Sequence, residues 1–146
     1  MEDTHIRIER FPDASFFITG LFQRAFSQPP PTFPVNYVAF YKLEHDIFKP
    51  IGYIHMTECT DYALVGGLCV DVEYRHKGLG EALLRYVDKD IGEKKGFFVS
   101  TNDPRIASRC GYGLTEEKHI MVKWAKRISA EEQERLISEV SKIGPF

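Results

Sequence analysis

The chain reads as one mixed domain of the α/β (α+β) class, and three observations point there. Over several short segments apolar and aromatic residues alternate with polar ones, the period of a strand. Over others apolar residues recur at three and four, the period of a helix. The two patterns meet between Leu64 and Val87, where an apolar run ends in Arg75-His76-Lys77-Gly78-Leu79-Gly80 and a helical pattern follows. A chain of 146 residues buries a sufficient core without disulfides, so residues 1–146 are taken as a single domain.

In chain order, Thr4 to Glu9 alternates Ile6 and Ile8 against His5, Arg7 and Glu9, a short amphipathic strand. Asp13 stands where an N-cap would, ahead of a helical cluster of Phe16, Phe17, Ile18, Leu21, Phe22 and Phe26 that reads as core. Ser27 to Val35 holds three consecutive prolines, which fix φ and remove donors, so it is a stiff loop carrying Phe33. Asn36–Leu43 and Ile51–Glu58 have the aromatic and β-branched content of strands, and Cys59 to Asp61 makes the next turn. Leu64 to Val70 is a buried strand whose interior Gly66-Gly67 signals a bulge or a close approach. From Glu81 a helix runs to about Ile91 and ends at Gly92. Gly96 to Thr101 is a further strand, and Pro104 opens a short helix to Arg109 with Asn102 or Asp103 as cap. His119 to Trp124 is the last strand. Ser129 and Glu132 form a capping box for a final helix, 129–143, striped with Leu136, Val140 and Ile143. That helix could lie on the sheet or on a second subunit, which leaves monomer and homodimer both open.

Composition excludes several classes. The net charge is −2, so no global basic field invites nucleic acid or an anionic membrane. The odd count of three cysteines, Cys59, Cys69 and Cys110, has no metal-like spacing and suits a reducing compartment. The charged N-terminus is unlike a signal peptide, and no apolar run reaches membrane-span length, so the expected location is cytoplasmic.

The glycine turn carries the chemistry. A strand-to-helix turn leaves N–H groups free at the positive end of the helix macrodipole. Glycines there remove the Cβ that would keep a phosphate away, giving an anion cradle suited to a pyrophosphate. It is not a dinucleotide fingerprint, since Leu83 stands where the third glycine belongs, and no Gly-Lys-Ser/Thr opens the helix as in a P-loop. Arg75-x-x-Gly78-x-Gly80 after Leu68-Cys69-Val70 resembles the acetyl-CoA signature of the GNAT acyltransferase superfamily, and the resemblance runs from Ile51 to Trp124.

This resemblance implies a mostly antiparallel sheet splayed at its central strands and flanked by helices, the 129–143 helix being an addition. It implies N-acetyl transfer from acetyl-CoA to a primary amine of a small molecule or peptide, by direct attack and without a metal. For CoA it implies contacts from the main chain of Leu68, Cys69 and Val70, from Arg75, His76, Lys77, Gly78, Leu79, Gly80 and Glu81, and from Asn102. A backbone N–H near Val70 would polarise the thioester carbonyl. Cys69 has no neighbouring base in sequence, which argues against a covalent acyl-enzyme. For the amine's proton the candidates are His55, Glu58 and Asp61. The family's tyrosine acid would fall on Ala107, so Ser108 beside it is left as a hydrogen-bond donor to the sulfur. Two readings compete with the enzyme: a non-catalytic acyl-CoA-binding regulatory module, and an interaction domain built on the last helix.

Overall fold

The structure is a computed structural model and describes residues 5–13, 15–28, 32–101, 104–117, 119–143 and 146. Seven strands form one sheet: β1 (Ile6–Phe11), β2 (Val35–Lys42), β3 (Phe48–Glu58), β4 (Tyr62–Val70), β5 (Gly96–Ser100), β6 (Gly113–Leu114) and β7 (Ile120–Trp124). Four helices accompany them: α1 (Ser15–Phe26), α2 (Leu79–Ile91), α3 (Pro104–Arg109) and α4 (Ala130–Ile143). The strand order is β1-β2-β3-β4-β5-β7-β6. β4 and β5 are parallel, and every other described pair is antiparallel. The expected mixed, mostly antiparallel sheet is therefore present.

Alternation along the strands sends side chains to two covered faces. Tyr37, Ala39, Ile51, Ile54, Met56, Ala63, Val65, Phe97 and Val99 pack under Leu79, Leu83, Leu84 and Val87 of α2 and Ala107 of α3. On the other face Val38, Phe40, Tyr53 and Cys69 meet Ile18, Leu21 and Phe22 of α1. Further along that face Tyr62, Leu64, Phe98, Ile120 and Val122 meet Leu136 and Val140 of α4. The α1 aromatics are core, as read, although the side chains of Phe16 and Phe17 lie outside the described set. Among the described residues no helix is long and apolar enough to cross a membrane.

The last helix lies on its own sheet. Ser129 Oγ accepts the Glu132 N–H at 3.2 Å, half of the expected capping box. The Glu132 carboxylate does not close the other half. It accepts instead from Lys95 at 3.0 Å and Arg135 at 2.6 Å. Ile143 is exposed, so the buried stripe ends at Val140. Several boundaries also differ from the sequence reading, β3 starting at Phe48 rather than Ile51 and β4 at Tyr62 rather than Leu64. β6, two residues long, carries too little pattern to be seen, and α2 starts at Leu79, which places Gly80 inside the first turn rather than in the loop.

Candidate active site

Two features of β4 create the site. Its pairing with β5 covers Tyr62 to Val65 and then stops, so Gly66 to Val70 run on with no β5 partner. On its other edge Tyr53 pairs with Cys69 but His55 pairs with Gly66, so Ile54 alone opposes Gly67 and Leu68. That is a β-bulge, and Gly67 sits in it at φ +67°, a conformation costly for any residue with a Cβ. The bulge turns the freed main chain just where the two strands part.

Beyond Val70 the chain enters a tight turn anchored by Asp71. The Asp71 carboxylate accepts the Glu73 N–H at 3.1 Å and meets Arg24 of α1 at 3.5 Å, while its own N–H donates to Ile51 O. The loop then passes through positive φ at His76 (63°) and Gly78 (83°) before α2 begins. Left-handed residues of this kind curl successive N–H groups into an anion-binding concavity. The first α2 bond runs from Ala82 N–H to Gly78 O, and Gly78 has no side chain to cap the helix. The N–H groups of Leu79, Gly80 and Glu81 therefore have no intrahelical acceptor. Arg75, His76 and Lys77 are exposed around them, with Arg75 Nε donating to Val70 O at 3.0 Å.

On the α1 and α4 face of the bulge lies a buried polar chain. His55, only 3 % exposed, is stacked on Phe33 with ring centroids 3.5 Å apart and 9° between planes. Its Nδ1 is 3.2 Å from the Tyr53 hydroxyl, which lies 2.6 Å from Asn36 Oδ1. Burial pushes the His55 imidazole down to about 3, opposed by the adjacent Phe146 main chain. A Cβ on Gly66 would run into the Phe146 carbonyl, and one on Gly67 into the His55 ring. Gly67 thus makes room for an imidazole lying against the strand, and Gly66 for the Phe146 main chain.

The acetyltransferase (GNAT) domain family matches residues 36–124. The chain belongs to the GNAT acetyltransferase family, whose cosubstrate is acetyl-CoA. Solved structures agree on the fold. The GNAT-family N-acetyltransferase YhbS from Escherichia coli, in complex with CoA, superposes with a TM-score of 0.62 at 19% identity, over 82% of this chain and 79% of that one. A GNAT-family acetyltransferase from Brucella melitensis, in complex with acetyl-CoA, gives 0.64 at 13% identity, over 87% and 92%. The ribosomal-protein-S18-alanine N-acetyltransferase of Escherichia coli gives 0.63 at 14%, over 86% and 97%. A search of curated proteins by sequence finds no match.

Within this GNAT domain most of the residues expected to contact CoA lie together. Leu68, Cys69 and Val70 present the freed strand edge, and residues 75–81 form the loop and first helical turn beside it. Asn102 lies outside the described residues. Glu81 turns its carboxylate to Arg109 at 3.1 Å and Arg85 at 4.0 Å, so only its N–H belongs to the cradle. Gly80 does not face outward as expected. A Cβ there would meet Ile106 Cδ1 at 3.1 Å and Leu68 Cδ2 at 3.8 Å, so its bareness lets α3 and β4 approach α2.

The proton-transfer candidates separate clearly. Glu58 pairs with Lys94 at 3.2 Å, and Asp61 with Lys95 at 3.7 Å, both at the β3–β4 hairpin where β4 and β5 are still joined. Ser108 is exposed on α3. The Tyr112 hydroxyl is spent on Asp88 at 2.8 Å, where Lys123 also binds at 3.0 Å. Only His55 lies at the bulge. Sequence reasoning missed its partners Asn36 and Tyr53. The available signal was Tyr53-x-His55, two residues apart and so on one face of a strand. We expect Ser108→Ala to slow turnover by about tenfold at most, the scale of one hydrogen bond. Initial rates of CoA thiol release measure it, and a thousandfold loss would restore Ser108 as an acid.

Proposed function

We propose that this domain transfers acetyl from acetyl-CoA to a primary amine by direct attack of the amine on the thioester. The observation that carries this reading is the β4 main chain freed from β5 beyond Val65, lying beside the open N-terminal turn of α2. The residues fit the cosubstrate. The loop and the N–H groups of Leu79 to Glu81 suit its pyrophosphate, and the charges of Arg75, His76 and Lys77 surround them. The unpaired edge of Leu68 to Val70 suits the amide groups of its pantetheine arm. Acetyl-CoA supplies the activated acyl group; the protein's part is to align the amine and move its proton.

Direct attack is favoured by the state of the cysteine on that edge. Cys69 is buried and its thiol is pushed up to about 12 by desolvation, so it offers no thiolate for an acyl-enzyme. The acceptor could be a small amine or a peptide. A neighbour named for acetylating the alanine of a ribosomal protein and another named N-acetylglutamate synthase span both kinds. The test is calorimetric titration with acetyl-CoA, followed by thiol release over lysine, spermidine and a peptide with a free N-terminus. Binding with turnover supports the enzyme. Binding without turnover of any amine would make the domain an acyl-CoA-binding module, and no binding would remove the cradle.

A further inference from the structure

We propose that His55 is the proton carrier of the transfer, held by Asn36 and Tyr53 as the Nδ1–H tautomer so that Nε2 presents a bare lone pair where β4 leaves β5. The inference rests on the acetyl-transfer reading above and assigns one side chain to both of its proton steps.

The tautomer follows from a chain of donors and acceptors. Asn36 Nδ2 lies 2.9 Å from Phe33 O, 3.2 Å from Pro12 O and 3.3 Å from Phe11 O. Three carbonyls around one atom require a donor, so that atom is the NH₂ and the atom facing Tyr53 is Oδ1. Oδ1 can only accept, so the single Tyr53 hydroxyl proton goes to it at 2.6 Å. The Tyr53 oxygen then has lone pairs alone to offer His55 Nδ1 at 3.2 Å, and Nδ1 must carry the ring proton. Nε2 is left as an acceptor. It is buried and makes no hydrogen bond of good geometry; the Phe146 main-chain oxygen beside it favours a proton there and must move aside before an amine can reach the lone pair. A buried acceptor without a donor is costly to keep, and its place beside the free edge of β4 suits an incoming amine N–H.

The steps balance. As the amine nitrogen bonds to the thioester carbon, one of its protons moves to Nε2. The carbon–sulfur bond breaks, its electron pair stays on sulfur, and the Nε2 proton passes to that sulfur. Amine and thioester become amide and thiol, and the imidazole returns to its neutral form. The surroundings suit a carrier rather than a strong base. The titratable groups facing the ring are Tyr53 on its own strand and, acting on Tyr53, Cys69 of β4 and Asp13 before α1. Phe33, Gly66 and Gly67 make other walls, and the Phe146 main-chain oxygen on the Nε2 side opposes the effect of burial. Burial disfavours the imidazolium, which therefore gives its proton up readily to the thiolate. For the same reason the ring does not deprotonate an ammonium ion, and the amine must arrive neutral.

The test uses the full chain with acetyl-CoA and whichever amine of the panel above turns over fastest. His55→Gln should lower kcat by about a hundredfold to a thousandfold with KM for acetyl-CoA unchanged, the range of general acid–base catalysis. His55→Ala should fall likewise and recover with added imidazole. Tyr53→Phe should lose about tenfold in kcat, the scale of one orienting hydrogen bond. Nitrogen chemical shifts of the His55 ring in the free protein should show Nδ1 protonated and Nε2 bare, and Tyr53→Phe should move the proton toward Nε2. Across amines of different basicity the rising limb of kcat/KM against pH should track the amine. A limb fixed near 6.5, the ordinary histidine value, would overturn the carrier. So would wild-type-like turnover in both His55 variants, or a ring protonated on Nε2 in the free protein. Calorimetric binding of acetyl-CoA with no turnover by the wild type would defeat the acetyl-transfer reading itself, and this proposal with it.

Discussion

Gly67→Val should lower turnover by at least about a hundredfold, because it displaces the group that carries the proton. Two penalties coincide at this residue. Its φ of +67° is one that a β-branched side chain resists, and a Cβ there collides with the His55 imidazole. Together these should cost about 2–4 kcal/mol of stability, the sum of a left-handed backbone penalty and an overpacked contact. For a domain of this size that corresponds to a fall in Tm of about 5–15 °C. Thermal melts and thiol-release rates on the same preparation measure both. The contribution of the collision is separable, since combining Gly67→Val with His55→Ala removes it and leaves only the backbone strain. The double variant should therefore lose less stability than the two single losses added. Additive losses would place the ring elsewhere.

Gly80→Phe should weaken acetyl-CoA binding by about a hundredfold or more, through overpacking of the helix turn that forms the cradle. The phenyl group has nowhere to go, because the missing Cβ faces Ile106 of α3 and Leu68 of β4. Pushing those two apart moves the helix turn and the free strand edge relative to each other. Gly80→Ala meets only the movable tip of Ile106 and should keep affinity within about threefold, a few tenths of a kcal/mol. Calorimetry on the two variants, each with a melt, gives the comparison. Near-normal affinity in the phenylalanine variant would mean that CoA does not use this turn.

The contrast between these two glycines shows what the sequence could carry. Gly78 and Gly80 were legible as a strand-to-helix turn because strand, turn and helix follow one another along the chain, so spacing encodes their geometry. The strands, α2 and the Ser129 cap were legible for the same reason. The direction of Gly80 was not, since it depends on where α3 docks. Gly66-Gly67 was readable as an anomaly, but its cause lies across the sheet. His55 faces Gly66 because a bulge shifts the register beside Ile54, and Asn36 faces His55 from a third strand. Such pairings are set by register and leave no periodic trace in the sequence. Glu58 and Asp61 were sensible candidates by residue type. They lie away from the bulge, in ion pairs at the β3–β4 hairpin.

The seam between β4 and β5 behaves as a pair of tongs. Four paired residues, Tyr62 to Val65, make its pivot, and the arms diverge beyond. The last helix is bolted across that pivot. Lys95, next to the start of β5, holds both Asp61, next to the start of β4, and Glu132 of α4, while Arg135 of α4 reaches the same Asp61. On the proposed reading, any widening of the arms for an acyl arm would work against this charged clasp at the far end of the seam. The clasp is exposed and sensitive to salt, so on the proposed reading a rise in ionic strength should change the affinity for acetyl-CoA through residues away from the expected contacts.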